Sequence, residues 1–277
     1  MTHPAESIGK GDGSRHRRAR MLRYGVWQAR DFLFERALGL LAIGGVFGYL
    51  NASERMAALH RSIATLPPAL IAKWGGLAAA TVMMRRDFNE RFLTDLVPIL
   101  VYLGAVLAMS GIVSNDRTRG YYRFLFAKPL APWRYYGQAF VVHTLVFVAV
   151  IALLGAVFGA LLWPILSLQL LLVPTLLFIM YGGATFLFSA AARWDWLALA
   201  ALTLVAKVAW TKYPDSTSIY AKLLYLLPPL HRTDEVYSAL AKSAPLPWPL
   251  IEWFAAYGVV CFIAGLVVLR YRRLAIL

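Results

Sequence analysis

The densest group of chemically capable side chains is SNDRTRGYYRFLFAKPLAPWRYYGQAF, Ser114 to Phe140. One acid, Asp116, stands among Arg117, Arg119, Arg123, Lys128 and Arg134, with Tyr121, Tyr122, Phe124, Leu125 and Phe126 between them. Tyr, Phe and Arg dominate the energetics of protein interfaces, so the chemistry on offer is grip. Pro129 and Pro132 would end a short helix there and keep it from running on into the next apolar stretch. Other chemistries are missing. The phosphate-loop pattern G-x-x-x-x-G-K-[ST] does not occur, and GKGDGS at Gly9–Ser14 has no strand or helix after it. No His/Glu pair or cysteine cluster has metal spacing. Asp234-Glu235 is the only adjacent acidic pair, which disfavours an enzyme handling magnesium diphosphates. Cys261 is alone and cannot form an intrachain disulfide. Ionisable groups in or near apolar stretches are few. Lys207 can snorkel to a surface, His143 reads as hydrogen-bonded or interfacial, and Glu252 opens the last apolar run. No carboxylate falls at mid-membrane, so an ion gradient is a poor energy source for this chain.

The elements that must hold the insert are apolar. Of the 277 residues, 60% are hydrophobic and 15% charged, against about a quarter charged in soluble domains. Several windows reach the roughly 20 apolar residues that cross a bilayer, without the alternation of barrel strands. The expectation is an all-α integral membrane protein. Residues 1–20, ending in RHRRAR, form a basic, disordered cytoplasmic tail, and residues 21–277 the membrane domain. A basic stretch before an apolar one resembles a signal peptide, but with no clean cleavage site it reads as a retained span. Met21–Arg36 reads as an amphipathic helix lying at the interface. Six spans follow, at Ala37–Leu50, Leu96–Val113, Ala139–Leu162, Ile165–Ala190, Leu197–Trp210 and Leu250–Leu269. From Tyr135 to Ala192 no Asp, Glu, Lys or Arg occurs, and Trp163-Pro164 is the natural turn within that window. ARWDW, Ala192–Trp196, reads as a short polar loop.

Charge sets orientation. The net charge is +14, and its distribution marks cytoplasmic segments and contact with anionic lipid, not nucleic acid. Residues 1–36 and 114–134 each carry net +4, the C-terminal tail has three arginines, and 211–249 carries only +1. Six crossings put the first three segments and both termini in the cytoplasm and the last outside. A seventh, over Ala69–Met84, would reverse the insert, so that stretch is expected not to cross. Arg85, Arg86 and Arg91 then lie outside, softened by Asp87, Glu90 and Asp95.

The order inside the insert resembles the coupling region of type-2 ABC export permeases: Asp116, Gly120, apolar Phe124-Leu125-Phe126, Pro129, then Tyr135-Tyr136-Gly137-Gln138 leading into a span. The resemblance extends over most of residues 21–277. FSAAARWDW resembles the family's loop after span four, and YAKLLYLLPPLHRTDEVYSAL stands where the family has an outer re-entrant hairpin before span six. Departures are Tyr121-Tyr122-Arg123 after the glycine and Gln138 where a lysine is common. The resemblance implies six spans with an amphipathic N-terminal helix, a cytoplasmic coupling helix between spans two and three, and a dimeric substrate pathway. It implies a cell-membrane location, the bacterial inner membrane, and export of an amphiphilic or hydrophobic substrate. No cofactor is expected in this chain; ATP and Mg belong to separate ATP-binding subunits. Those would dock on Asp116, Arg117, Arg119, Gly120, Tyr121, Tyr122, Arg123, Phe124, Leu125, Phe126 and Pro129. A second permease copy and membrane lipids complete the partners.

Beside that stand plainer readings. Arg134, Tyr135 and Tyr136 read as an interfacial belt. The small residues of GLLAIGG, GAVFGA and YGGA suit either packing within one subunit or a dimer contact. A membrane enzyme acting on lipids, which needs clustered acids or histidines, and a scaffold without ATP coupling are the alternatives.

Overall fold

A computed structural model describes residues 23, 25–118, 131–161, 167–192, 195–212, 227–228, 230–242 and 244–271. The regular elements among the described residues are helical, with no strand. In chain order they are α1 (Gly25–Ala64), α2 (Pro68–Lys73), α3 (Leu77–Met109), α4 (Ser114–Thr118), α5 (Pro132–Leu161), α6 (Leu168–Ala191), α7 (Asp195–Lys212), α8 (Thr233–Lys242) and α9 (Trp248–Tyr271). Helices α1, α3, α5, α6 and α9 are long and apolar enough to cross a membrane. The architecture is that of a multi-pass helical membrane protein. Helix α7 occupies the expected fifth span, but its 18 residues carry Asp195, Lys207 and Lys212 and do not match the apolarity of the other five. The basic tail, residues 119–130 of the insert, the Trp163-Pro164 turn and residues 213–226 lie outside the described residues.

The expected interfacial helix over 21–36 is not a separate element. Helix α1 runs on from Gly25 to Ala64 without a break, passing through a π-helical turn at Leu33–Ala37. No proline or glycine stands between Val26 and Leu38 to interrupt it. Phe32, Ala37 and Leu40 are all buried, so one apolar stripe packs on both sides of the turn. The span also continues past the expected Leu50. Likewise α3 begins well before Leu96, and its first turns belong to the stretch Ala69–Met84. That stretch is split. Pro67 caps α2 with Pro68 at its first position, and Gly75 and Gly76 follow with φ of 80° and 107°. The Gly76 N–H bonds back to the Ile71 carbonyl at 2.8 Å, a glycine stop signal of helices.

Two polar contacts frame the apolar part of the α1–α3 pair. At one end Arg36 reaches the last carbonyls of α3. At the other Arg55 pairs with Asp95 and donates to Asn51 at 2.5 Å. Arg36 and Arg55 lie about 28 Å apart along the helix at 1.5 Å per residue, close to the 30 Å of a hydrocarbon core. Beyond Arg55 the two helices continue as a paired hairpin closed by α2. Helix α8 lies against α3 on this side: Arg86 donates to the Lys242 carbonyl at 2.9 Å, and Lys242 pairs with Glu90 at 3.2 Å.

The centre of the bundle is the α6–α9 pair. A Cβ on Gly183 would collide with the Gly258 backbone, and one on Gly258 with the Ile179 carbonyl. The two backbones therefore touch, as small residues allow between membrane helices. Phe147 of α5 stacks on Phe178 of α6 with centroids 4.3 Å apart, filling the space Gly104 leaves on α3. In GLLAIGG the outcome is divided: Gly44 faces Leu100 and Leu154, while Gly39 and Gly45 meet nothing.

Candidate functional site

The insert grows out of the end of α3, and five elements converge there. The helix stops because Ser110 turns extended and Gly111 takes φ 73°, a left-handed conformation that favours glycine. Space enforces the same choice, since a Cβ at 111 would lie 2.5 Å from the Asn115 amide nitrogen. After four residues of turn, 110–113, the chain re-enters a helix as α4, which carries Asp116 and Arg117.

Helix ends leave backbone groups without intrahelical partners. Here side chains from elsewhere supply them. Arg36 of α1 donates through Nη1 to the carbonyls of Leu107 at 2.6 Å and Ser110 at 3.0 Å. A cation on a helix C-terminus also suits the macrodipole. From the opposite direction Asp195 accepts from the Ser110 hydroxyl at 2.9 Å and from the Gly111 N–H at 2.5 Å. Its carboxylate also accepts from the Trp196 N–H at 2.8 Å. Asp195 is 3% exposed, and its place at the first position of α7 puts its charge where the dipole favours it. Ser189, fully buried on the last turn of α6, accepts from the N–H groups of Val113 at 3.1 Å and Ser114 at 3.4 Å. Tyr136 of α5 donates to Asp116 at 3.1 Å. His143 stacks on Phe32 with centroids 4.3 Å apart, near the Ala108 backbone at the same end of α3.

The arrangement is a clamp. Buried hydrogen-bond networks of this kind rigidify when their members are satisfied. It fixes the base of the insert to α1, α5, α6 and α7 together. Its groups are engaged with backbone, which suits them to hold position and not to transfer protons. Among the described residues no group of three His, Cys, Asp or Glu side chains could hold a metal.

Of the residues expected to form the docking surface, the structure places Asp116, half-buried against Tyr136, and the backbone of Arg117 on α4. Arg119, Gly120, Tyr121, Tyr122, Arg123, Phe124, Leu125, Phe126 and Pro129 lie outside the described residues. Two readings are corrected. Tyr135 and Tyr136 are no interfacial belt: they are 9% and 0% exposed in a cluster with Phe186, and Tyr136 is tied to the insert. Arg134, over the Trp133 ring at 5.0 Å, is the member of that group on the surface. ARWDW is not simply a polar loop, because its carboxylate is buried in the clamp. Arg36, Ser110, Gly111, Ser189 and Asp195 were not among the expected site residues. The one sequence signal for Asp195 is an acid two residues after an arginine in a segment otherwise free of charge.

Comparison with models of known protein families finds no match to this chain, and comparison with curated proteins finds none either.

Proposed function

We propose that the chain is the membrane subunit of an ATP-driven exporter of the type-2 ABC permease kind. In this reading it forms half of a substrate pathway, pairs with a second copy or a homologue, and takes its energy from separate ATP-binding subunits. Helix α7 crosses as the fifth of six spans, both termini are cytoplasmic, and α8 with the residues before it forms the outer re-entrant hairpin. The partner grips the insert from Arg117 to Phe126.

The observation that supports this most is the clamp beneath the insert. A surface loop needs no such anchorage, whereas a lever does. Force applied at α4 would pass to α3 through Gly111, to α5 through Tyr136 and to α6 and α7 through Ser189 and Asp195. Helices tied in this way would turn as one body against the second copy. The insert's arginines and aromatics supply the grip and the clamp supplies the stiffness.

The test is co-expression with a candidate ATP-binding subunit, followed by co-purification and ATPase assay. The wild-type pair should co-purify, and substitution of Arg119, Tyr122 and Phe124 by alanine should release the partner. A partner that binds the triple variant as well as the wild type would overturn the docking assignment. Co-purification without stimulated ATPase would favour a scaffold.

A further inference from the structure

Tyrosines from four helices gather where α8 meets the bundle. Tyr102 of α3 and Tyr181 of α6 stand edge to face with centroids 5.5 Å apart. Tyr237 of α8 is 4% exposed, and its hydroxyl is near enough to Tyr181 to interact with it. Tyr257 of α9 packs into the same group with Tyr102 and Tyr181. Asp234, in the first turn of α8, acts electrostatically on both Tyr181 and Tyr237. Asp234 is exposed and Tyr102, Tyr181 and Tyr257 are half-buried, so the group is open on one side. Its polar atoms lack partners. Among the described residues the hydroxyls of Tyr102, Tyr181 and Tyr237 make no hydrogen bond, and no Lys or Arg pairs with Asp234. The neighbouring Arg232 is taken by Glu235 at 2.8 Å, and Lys242 at the far end of α8 by Glu90 at 3.2 Å.

We propose that Tyr102, Tyr181, Tyr237 and Asp234 form a binding site for an organic cation with an apolar body, an amine or a quaternary onium compound. Three considerations select that occupant. The faces of tyrosine rings attract cations, most strongly where water is scarce. Tyr102 stands about 10 Å along α3 from Asp95, inside the apolar length framed by Arg36 and Arg55, so water is scarce there. A carboxylate beside that length is costly without a counter-charge, and Asp234 has none from the protein. The third consideration is exclusion. An anion would meet Asp234 with no base to offset the repulsion, and a neutral hydrocarbon would leave the buried Tyr237 hydroxyl unbonded. The proposal deepens the exporter reading and rests on it for the cation's being cargo; binding itself needs no motor.

The experiment is equilibrium dialysis of the full chain in neutral detergent against tetraphenylphosphonium. Tetraphenylborate, of the same shape and opposite charge, is the control, and protein-free micelles are subtracted. The wild type should bind the phosphonium saturably and the borate no more than micelles do. Asp234→Asn should weaken phosphonium binding about fivefold or more, and Tyr181→Leu about threefold or more. Tyr181→Phe keeps the ring face and should retain it. Each variant is compared as monodisperse protein, and the exposed Asp234 can be changed without disturbing the core. Equal binding of the two ions, or an unchanged affinity in either Asp234→Asn or Tyr181→Leu, would overturn the proposal. No phosphonium binding by a chain that still co-purifies with an ATP-binding subunit and stimulates it would overturn the site and leave the exporter reading standing. Saturable binding without ATP-driven uptake into inside-out vesicles carrying that pair would keep the site and overturn the assignment of the cation as cargo.

Discussion

Asp195 carries more of the clamp than any other side chain, because both its oxygens are engaged and its partners are backbone or the half-buried Ser110 hydroxyl. Replacing it by alanine strands the Gly111 N–H and the Ser110 hydroxyl. Leaving a buried donor unsatisfied costs about 1–3 kcal/mol. Asp195→Ala should therefore lower the thermal midpoint of the detergent-solubilised protein by several degrees. Asp195→Asn keeps one accepting oxygen but turns an N–H₂ toward another donor, so it should fall between, as scanning fluorimetry can read. A wild-type midpoint in Asp195→Ala would mean the clamp does not stiffen the fold. This residue also shows what a sequence withholds. Its type and position are plain in ARWDW, but its burial depends on Ser110 and Gly111, some 85 residues earlier, and no periodicity announces that pairing. Tyr136 was misread for the same reason. A tyrosine at the mouth of an apolar run looks like a belt until Asp116 is seen beneath its hydroxyl.

At the scale of elements, charge-free windows gave the middle of each span, because lipid admits few charges. They did not give the ends. Helices α1 and α3 run on past Leu50 and start before Leu96 because a helix leaving the bilayer needs no new signal to continue, only the absence of a breaker. The breakers, Pro67, Pro68, Gly75 and Gly76, stand further out. Helix α7 was legible as an apolar run, yet its end charges keep it apart from the five strongly apolar helices. Glycines offered a pattern without a direction, and the structure supplies one. Gly258→Ala should disrupt the α6–α9 contact, since its methyl would strike the Ile179 carbonyl and neither backbone can yield cheaply. Gly39→Ala, where nothing lies within 4 Å, should be neutral or slightly stabilising. Size-exclusion chromatography after purification separates the two: a loss of monodisperse protein is expected for the first and none for the second.

For the whole molecule the decisive number is how many helices cross. With α1 and α3 both crossing, the insert falls on the same face as the N-terminus and the hairpin on the opposite face, and whether α7 crosses decides the face of the C-terminus. Single cysteines on a Cys261→Ala background read this directly. A cysteine at 73 should react with an impermeant maleimide in intact cells, and one at 119 only after the membrane is opened. If position 119 reacts from outside, no cytoplasmic motor can reach the insert and the exporter reading falls.

The π turn at Leu33–Ala37 has a geometric consequence of its own. A π turn holds one residue more than the α-helical turn it replaces, and each helical residue advances the azimuth by about 100°. Everything on the N-terminal side of Leu33 is thus rotated, relative to a regular α-helix, by roughly one residue's worth of angle. Arg36 sits inside that wide turn, and from there it meets the Leu107 and Ser110 carbonyls. The first helix therefore behaves like a vernier. Tightening one coil would swing its leading end around the axis while leaving the membrane-embedded length where it is.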